Sequence, residues 1–349
     1  MKIHVLKLLY IICVGVLLIG LIGSLLYVFS LKDIIRKAVF SSFQASHVTL
    51  LYQESLEKRL KNLKQEEYSM IFVGDIMLSR SVAGKIYEAQ DPLFPFLRIA
   101  EFLRSADITF GNLEGPMSSR GVNQGSIYSF RDDPGTVNAL TYAGFDVLSL
   151  ANNHIFDWGS VALTDTLNLL HTNNIKTVGA GRDYNQANAP AIFNLEETKI
   201  AFLGYTNLYP KTLKADETSV GISDFDEPNI ESQIRKAKQD ADIVIVSFHW
   251  GTEYKKTSTQ EQRELAHKMI DWGTDIIIGH HPHVVEEIEH YKNGWIAYSL
   301  GNFVFDQNFS KETMEGIAIL TKIYNKKILD FSSIPIRIND DFQPHKVDL

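Results

Sequence analysis

Carboxylate, amide and imidazole groups recur in this sequence where a short apolar run has just ended. Asp75 follows the run at 70–73, and Asn112 and Glu114 follow 108–110. Asn152, Asn153, His154 and Asp157 follow 147–150; His249 and Glu253 follow 243–248; His280, His281 and His283 follow 276–278. Three of these motifs hold five of the eleven histidines, which chance scatter does not account for. Asp75 and Glu114 gathered among imidazoles would repel, or desolvate at high cost, without a cation between them. Oxygen and nitrogen donors with no thiolate suit Mn²⁺, Fe, Zn²⁺ or Mg²⁺, and imidazole shifts the preference away from Ca²⁺. The expected cofactor is therefore one or two divalent metal ions. Each motif also has a plainer reading. Asp75 after Gly74 serves equally as a turn or cap residue, Asn112 and Glu114 as loop caps, and His249 as a satisfied core histidine. The sharpest signal is the tract Gly279-His280-His281-Pro282-His283.

The elements that must position these groups follow from the apolar runs. Short strands alternate with helical patterns at 93–104, 161–171 and 260–272, which predicts an α/β unit with a largely parallel central sheet. Carboxyl ends of parallel strands lie on one side of a sheet, where ligands bind. Residues scattered over two hundred positions are thus expected to converge. Two hairpins join the sheet: Asn293-Gly294 turns between 284–291 and 295–298, and a polar turn separates 191–195 from 200–203. The segment 317–338 supplies closing strands.

A formal charge of −8, with no stripe of Lys and Arg interleaved with aromatics, argues against a nucleic-acid partner. The one cysteine, Cys13, lies in the N-terminal apolar stretch, so the rest of the chain has no disulfide, thiolate ligand or cysteine nucleophile. Residues 8–31 carry no charge and are bracketed by Lys7 and Lys32. As a helix this stretch spans roughly 36 Å, enough for a membrane anchor. The expected organisation is a cytoplasmic N-terminus at 1–7, a transmembrane helix at 8–31, a helical stalk at 32–66 and a globular domain at 67–349. Basic residues are nearly balanced across the span, so charge leaves the topology open.

These motifs resemble the CapA (PgsA) family of poly-γ-glutamate capsule biosynthesis proteins over about residues 69–306. The likeness rests on Gly74-Asp75-Ile76-Met77, Gly111-Asn112-Leu113-Glu114-Gly115, Ala151-Asn152-Asn153-His154 with Asp157, His249-Trp250-Gly251 with Glu253, the 280–283 cluster, and Ser299-Leu300-Gly301-Asn302-Phe303. That family is in turn similar to calcineurin-like metallophosphatases, so the resemblance implies a sandwich of mixed sheets flanked by helices. It implies Asp75, Glu114, Asn153, His249, His281 and His283 as metal ligands. Asn112, Asn152, His280 and Asn302 stand behind them, and His154, Asp157 and Glu253 are the catalytic candidates. The chain departs from the phosphatase pattern in having Met77 where a histidine ligand stands, and Asn112 where an aspartate bridges the metals. A thioether is a poor ligand for such ions.

The resemblance implies an extracellular domain on a single-pass anchor in the cell membrane. Its partners would be an anionic polymer and membrane subunits of a capsule synthase. The leading expectation is a role in synthesis, export or anchoring of poly-γ-glutamate or a similar polymer. Alternatives are an extracytoplasmic metal-dependent phosphohydrolase and a non-catalytic, metal-stabilised scaffold. A site so rich in imidazole is expected to fail at mildly acid pH as its histidines protonate.

Overall fold

The computed structural model describes residues 67–347, so the expected span at 8–31 and stalk at 32–66 lie outside the described residues. Among the described residues, no helix is long and apolar enough to cross a membrane. The first strands are β1 (Glu67–Ile76), β2 (Ile108–Leu113), β3 (Val147–Ser149), β4 (Lys176–Val178), β5 (Ala180–Gly181), β6 (Ala191–Leu195), β7 (Thr198–Thr206) and β8 (Gly221–Ile222). After them come β9 (Ile243–His249), β10 (Ile276–His280), β11 (Ile288–Tyr291), β12 (Gly294–Ala297), β13 (Asn302–Val304), β14 (Glu315–Tyr324), β15 (Lys327–Ile338) and β16 (Pro344–Lys346).

The single central sheet expected from the apolar pattern is in fact two mixed sheets, as the metallophosphatase resemblance implies. One runs β16-β15-β14-β1-β2-β3-β4, with β13 added alongside β1; the other runs β11-β12-β10-β9-β7-β6. Side chains alternate across each strand, so both faces of a sandwiched strand must be apolar and the run reads as continuous. In β1, Met70 and Phe72 face the layer between the sheets while Ile71 and Val73 face outward. In β9, Ile243 and Ile245 point inward, and Val244 and Val246 outward. Periodicity of this kind marks burial on two faces but does not say which strands share a sheet. The rings of Phe72, Phe110 and Phe202 meet between the sheets at centroid separations of 5.9, 6.3 and 5.8 Å. Helices at Arg80–Ala89, Val137–Ala143 and Gly159–Thr172 cover the outer face of the first sheet, and Glu227–Asp240 and Gln260–Trp272 that of the second.

Three local details differ from expectation. The helical pattern at 93–104 breaks into a 3₁₀ turn at Phe94–Phe96, which holds Pro95, and one helical turn at Ala100–Leu103. The β11–β12 turn consists of Lys292 and Asn293, because Tyr291 already pairs with Gly294. Gly294 is needed for packing instead, since a Cβ there would lie 2.4 Å from Ile270 Cδ1. The hairpin joining β14 and β15 turns on Asn325 and Lys326, both at positive φ, as a type I′ turn requires.

Site residues sit at the carboxyl ends of parallel neighbours. Asp75 pairs in register with Asn112 of β2 and Asn302 of β13, and His249 of β9 with His280 of β10. Gly279, just before His280, lets β10 pass close to the backbone that follows β12: a Cβ would fall 1.8 Å from the Tyr298 carbonyl oxygen. Gly279→Ala should therefore cost about 1–3 kcal/mol of unfolding free energy through overpacking. Urea denaturation reads this, and an unchanged midpoint would contradict the close approach.

Candidate functional site

Asp75 and Glu114 have no exposed surface. Asn112 Nδ2 donates to Asp75 Oδ1 at 2.9 Å and approaches Glu114 Oε2 at 3.4 Å. His280 Nδ1 stands 3.1 Å from Asp75 Oδ1, and the His281 backbone N–H donates to Asp75 Oδ2 at 3.2 Å. His283 Nδ1 lies 3.3 Å from Asp75 Oδ2 and 2.9 Å from Asn302 Oδ1, and its Nε2 lies 3.7 Å from Glu114 Oε1. The turn after β10 aims both imidazoles by holding His281 at φ 97° and His283 at φ 58°. Such positions cost non-glycine residues about 1–3 kcal/mol each and gather at functional sites.

Two groups of side chains offer ligand atoms within 4.8 Å of one another: Asp75, Glu114 and His283, and Glu253, His281 and His283. Glu114 Oε1 and His281 Nδ1 are buried and make no hydrogen bond among the described residues. Carboxylate oxygen and imidazole nitrogen with unspent acceptors form a donor set that fits a divalent ion. The structure thus brings Asp75, Glu114, His281 and His283 together as expected. Glu253, expected to be catalytic, joins them as a potential ligand. His249 and Asn153 stand beside these groups, with His249 Nε2 and Asn153 Oδ1 bonded to each other at 2.7 Å. The His249 and His281 rings lie 4.9 Å apart.

Hydrogen bonds hold the supporting residues in several groups. Asn152 Nδ2 donates to Asn112 Oδ1 at 3.1 Å, which commits the Asn112 oxygen away from the carboxylates, and to the Leu113 carbonyl at 2.7 Å. Asn302 donates to Gln307 Oε1 and to the Thr313 carbonyl. Met77 is buried and its sulfur accepts from the backbone and hydroxyl of Ser79. His154 and Asp157 form a separate pair: His154 Nδ1 contacts Asp157 Oδ2 at 2.7 Å, and the same carboxylate oxygen accepts from Phe130 N–H at 2.8 Å. Asp157 therefore positions His154. The Phe130 ring stacks on the imidazole at 3.9 Å, and His154 Nε2 lies 3.9 Å from Glu114 Oε1.

A cleft of about 190 Å³ opens over this floor; His154, Glu253 and His283 line it with Arg80, Tyr254 and Asp306. Sequence reasoning missed Arg80 and Asp306. Asp306 stands just past the Ser299–Phe303 motif, after an apolar run, and that was the one available signal.

Burial would raise Asp75, but hydrogen bonds and charge from His280 and His283 outweigh it and hold this carboxyl well below its usual range. Burial, opposed by His283 and reinforced by Asp75, Glu253 and Asp157, pushes Glu114 well above that range. Burial lowers His249 well below the usual imidazole value, with His281 adding to the effect. Burial and the His283 charge bring His281 down to about 3. Burial opposes protonation of His283, yet Glu114 and Asp75 overcome it and raise this imidazole to about 9. Burial thus disfavours a proton on His249 and His281, whereas the same surroundings favour one on His283 and Glu114, the two ligand candidates at which a proton would compete with a cation.

Comparisons with known proteins give the family and the fold. The family model "Bacterial capsule synthesis protein PGA_cap" matches residues 69–307. Capsule biosynthesis protein CapA of Bacillus anthracis is 34% identical over 262 residues, which cover 72% of this chain and 63% of that protein. The chain thus spans a little under two thirds of that relative. PGA biosynthesis protein CapA of Bacillus subtilis is 36% identical over 256 residues, covering 72% and 67%. The crystal structure of a phosphatase from Mycoplasma pneumoniae matches 78% of this chain and 94% of its own, at 16% identity and a TM-score of 0.50, which establishes a shared fold.

His283, raised from about 6.5 to about 9, stabilises the fold fully below 6.5 and loses that contribution as pH rises through 9. Chelator-treated protein should lose unfolding free energy between pH 6.5 and 9, by about 1.4 kcal/mol per unit for each proton involved. Joint replacement by Glu114→Gln and His283→Ala should shrink this slope. A residue of it should remain from Asp132 and Glu286, which burial raises to about 8 and about 7. Denaturation at several pH values measures it, and an unchanged slope in the double variant would contradict the assignment.

Proposed function

The chain belongs to the PGA_cap family of bacterial capsule synthesis proteins, and from that premise we propose that it acts in synthesis, export or anchoring of poly-γ-glutamate or a similar anionic envelope polymer, through a metal-binding site. One observation carries the metal reading. Glu114 Oε1, fully buried and without a hydrogen bond among the described residues, faces His283 and lies within ligand range of Asp75. A buried acceptor left unmade is costly unless something supplies its partner. Asp75, Glu114 and His283 would hold one divalent ion, and Glu253 and His281 would serve a second. Mn²⁺, Fe, Zn²⁺ and Mg²⁺ all suit such ligands. When bound, the ion neutralises the carboxylates and polarises a substrate oxygen or a water.

The chain's own residues complete the site. His154 donates Nδ1–H to Asp157, which leaves Nε2 directed at the cleft to take or give a proton at the substrate. Phe130 covers one face of that imidazole and limits both rotation and water access. The uncharged stretch at 8–31 supports a single membrane anchor, and the resemblance supports an extracellular domain beside membrane subunits of a synthase.

The phosphohydrolase reading draws on the phosphatase fold, but a fold does not carry an activity. Met77 spends its sulfur on Ser79, and Asn112 spends its oxygen on Asn152. Neither position supplies the ligand expected of a two-metal phosphatase.

Full-length His154→Ala, produced at wild-type level in the native bacterium, should abolish surface γ-linked glutamate polymer. Purified Glu114→Gln should lose at least half of its bound metal by elemental analysis. Normal polymer in the first variant would exclude the proton-transfer role, and wild-type metal content in the second would exclude the ligand set.

A further inference from the structure

The cleft has one cationic side chain that no proposed step has used. Arg80 opens the helix Arg80–Ala89 at φ 53°, a left-handed position unusual for arginine. Its Nε donates to Asp306 Oδ2 at 3.2 Å, and its Nη2 pairs with Oδ1 at 2.7 Å without hydrogen-bond alignment. The Ser81 backbone N–H donates to the same carboxylate at 3.0 Å. Asp306 is buried (2% side-chain exposure), whereas the Arg80 side chain is 35% exposed and lines the cleft. The guanidinium also lies 5.2 Å from the centroid of Phe130, whose ring stacks on His154. Arg80 is therefore fixed relative to the proton-transfer imidazole through one intervening ring. Its Nη1 has no protein partner among the described residues.

A guanidinium gripped on one edge by a buried carboxylate, with its other edge facing an open cleft, is arranged to bind an anion. The remaining lining narrows the choice of anion. Tyr128, Tyr254 and Phe309 stand exposed around the same cleft, and the Tyr254 and Phe309 rings meet edge-on at 5.1 Å. Inorganic phosphate gives such rings nothing to cover. A chain whose carboxylates are separated by methylenes satisfies both the guanidinium and the rings.

We propose that Arg80, oriented by Asp306, is a specificity-determining residue that pairs with a free carboxylate of a γ-linked glutamyl chain lying in the cleft. The assignment rests on the polymer reading above and adds the residue that recognises the polymer's charge. Asp306 and Phe130 are positioning residues for that contact.

Calorimetry on the full-length protein tests this with three probes: a γ-linked glutamate trimer, the same trimer with its free carboxylates amidated, and inorganic phosphate. Wild type should prefer the acid trimer. Arg80→Gln, which keeps a donor for Asp306, should weaken the acid trimer about tenfold or more while leaving the amide trimer unchanged, so the preference collapses. Arg80→Lys, which keeps the charge without the fork, should recover part of the preference and also guards against misfolding in the glutamine variant. Undiminished preference in both variants overturns the assignment while the polymer reading stands. Weakening confined to phosphate also overturns it, by making phosphate the anion that Arg80 reads. Failure of wild type to bind either trimer overturns the polymer reading and this assignment together.

Discussion

Two carboxylates with no exposed surface, Asp75 and Glu114, stand beside three imidazoles where the carboxyl ends of strands from two sheets meet, and the site depends on keeping them there. Ionised carboxylates are expensive to bury, and the two are stabilised differently. Asp75 receives hydrogen bonds from Asn112 and the His281 backbone, has the His280 imidazole within hydrogen-bond distance, and has His283 as an ion-pair neighbour at 3.3 Å. Glu114 has the Asn112 amide for one oxygen and, among the described residues, no hydrogen bond for the other. That asymmetry explains why their proton affinities move in opposite directions.

The sandwich provides the geometry. Carboxyl ends of β1, β2 and β3 from one sheet meet those of β9 and β10 from the other, so residues far apart in sequence share one floor. A core of Phe72, Phe110 and Phe202 holds the two sheets together directly beneath. Nearer the floor, strained backbone at His281 and His283 aims the last two ligand candidates. A helical or ideal-strand conformation there would point these rings elsewhere.

Most of the site residues were legible because polar groups placed after buried apolar runs serve no packing purpose. The family was legible from six motifs in order, and the helix Gln260–Trp272 from periodicity alone. The division into two sheets was not, because a strand buried on both faces looks the same in either one. The Lys292-Asn293 turn was missed because Gly294 signals a turn in sequence yet serves the packing of Ile270. Arg80 and Asp306 escaped notice because 226 positions separate them and neither belongs to a ligand-like motif. The distinct roles of Glu253 and Asp157 could be assigned only from distances.

The central claim is that a divalent cation completes the cluster of Asp75, Glu114 and His283. Anomalous diffraction from crystals of the protein grown with Mn²⁺ or Zn²⁺ tests it most directly. The account predicts an anomalous peak about 2.0–2.3 Å from a carboxylate oxygen of Asp75, one of Glu114 and a ring nitrogen of His283. A well-ordered site with no peak, and with His283 still bonded to Asp75 and Asn302, would contradict it.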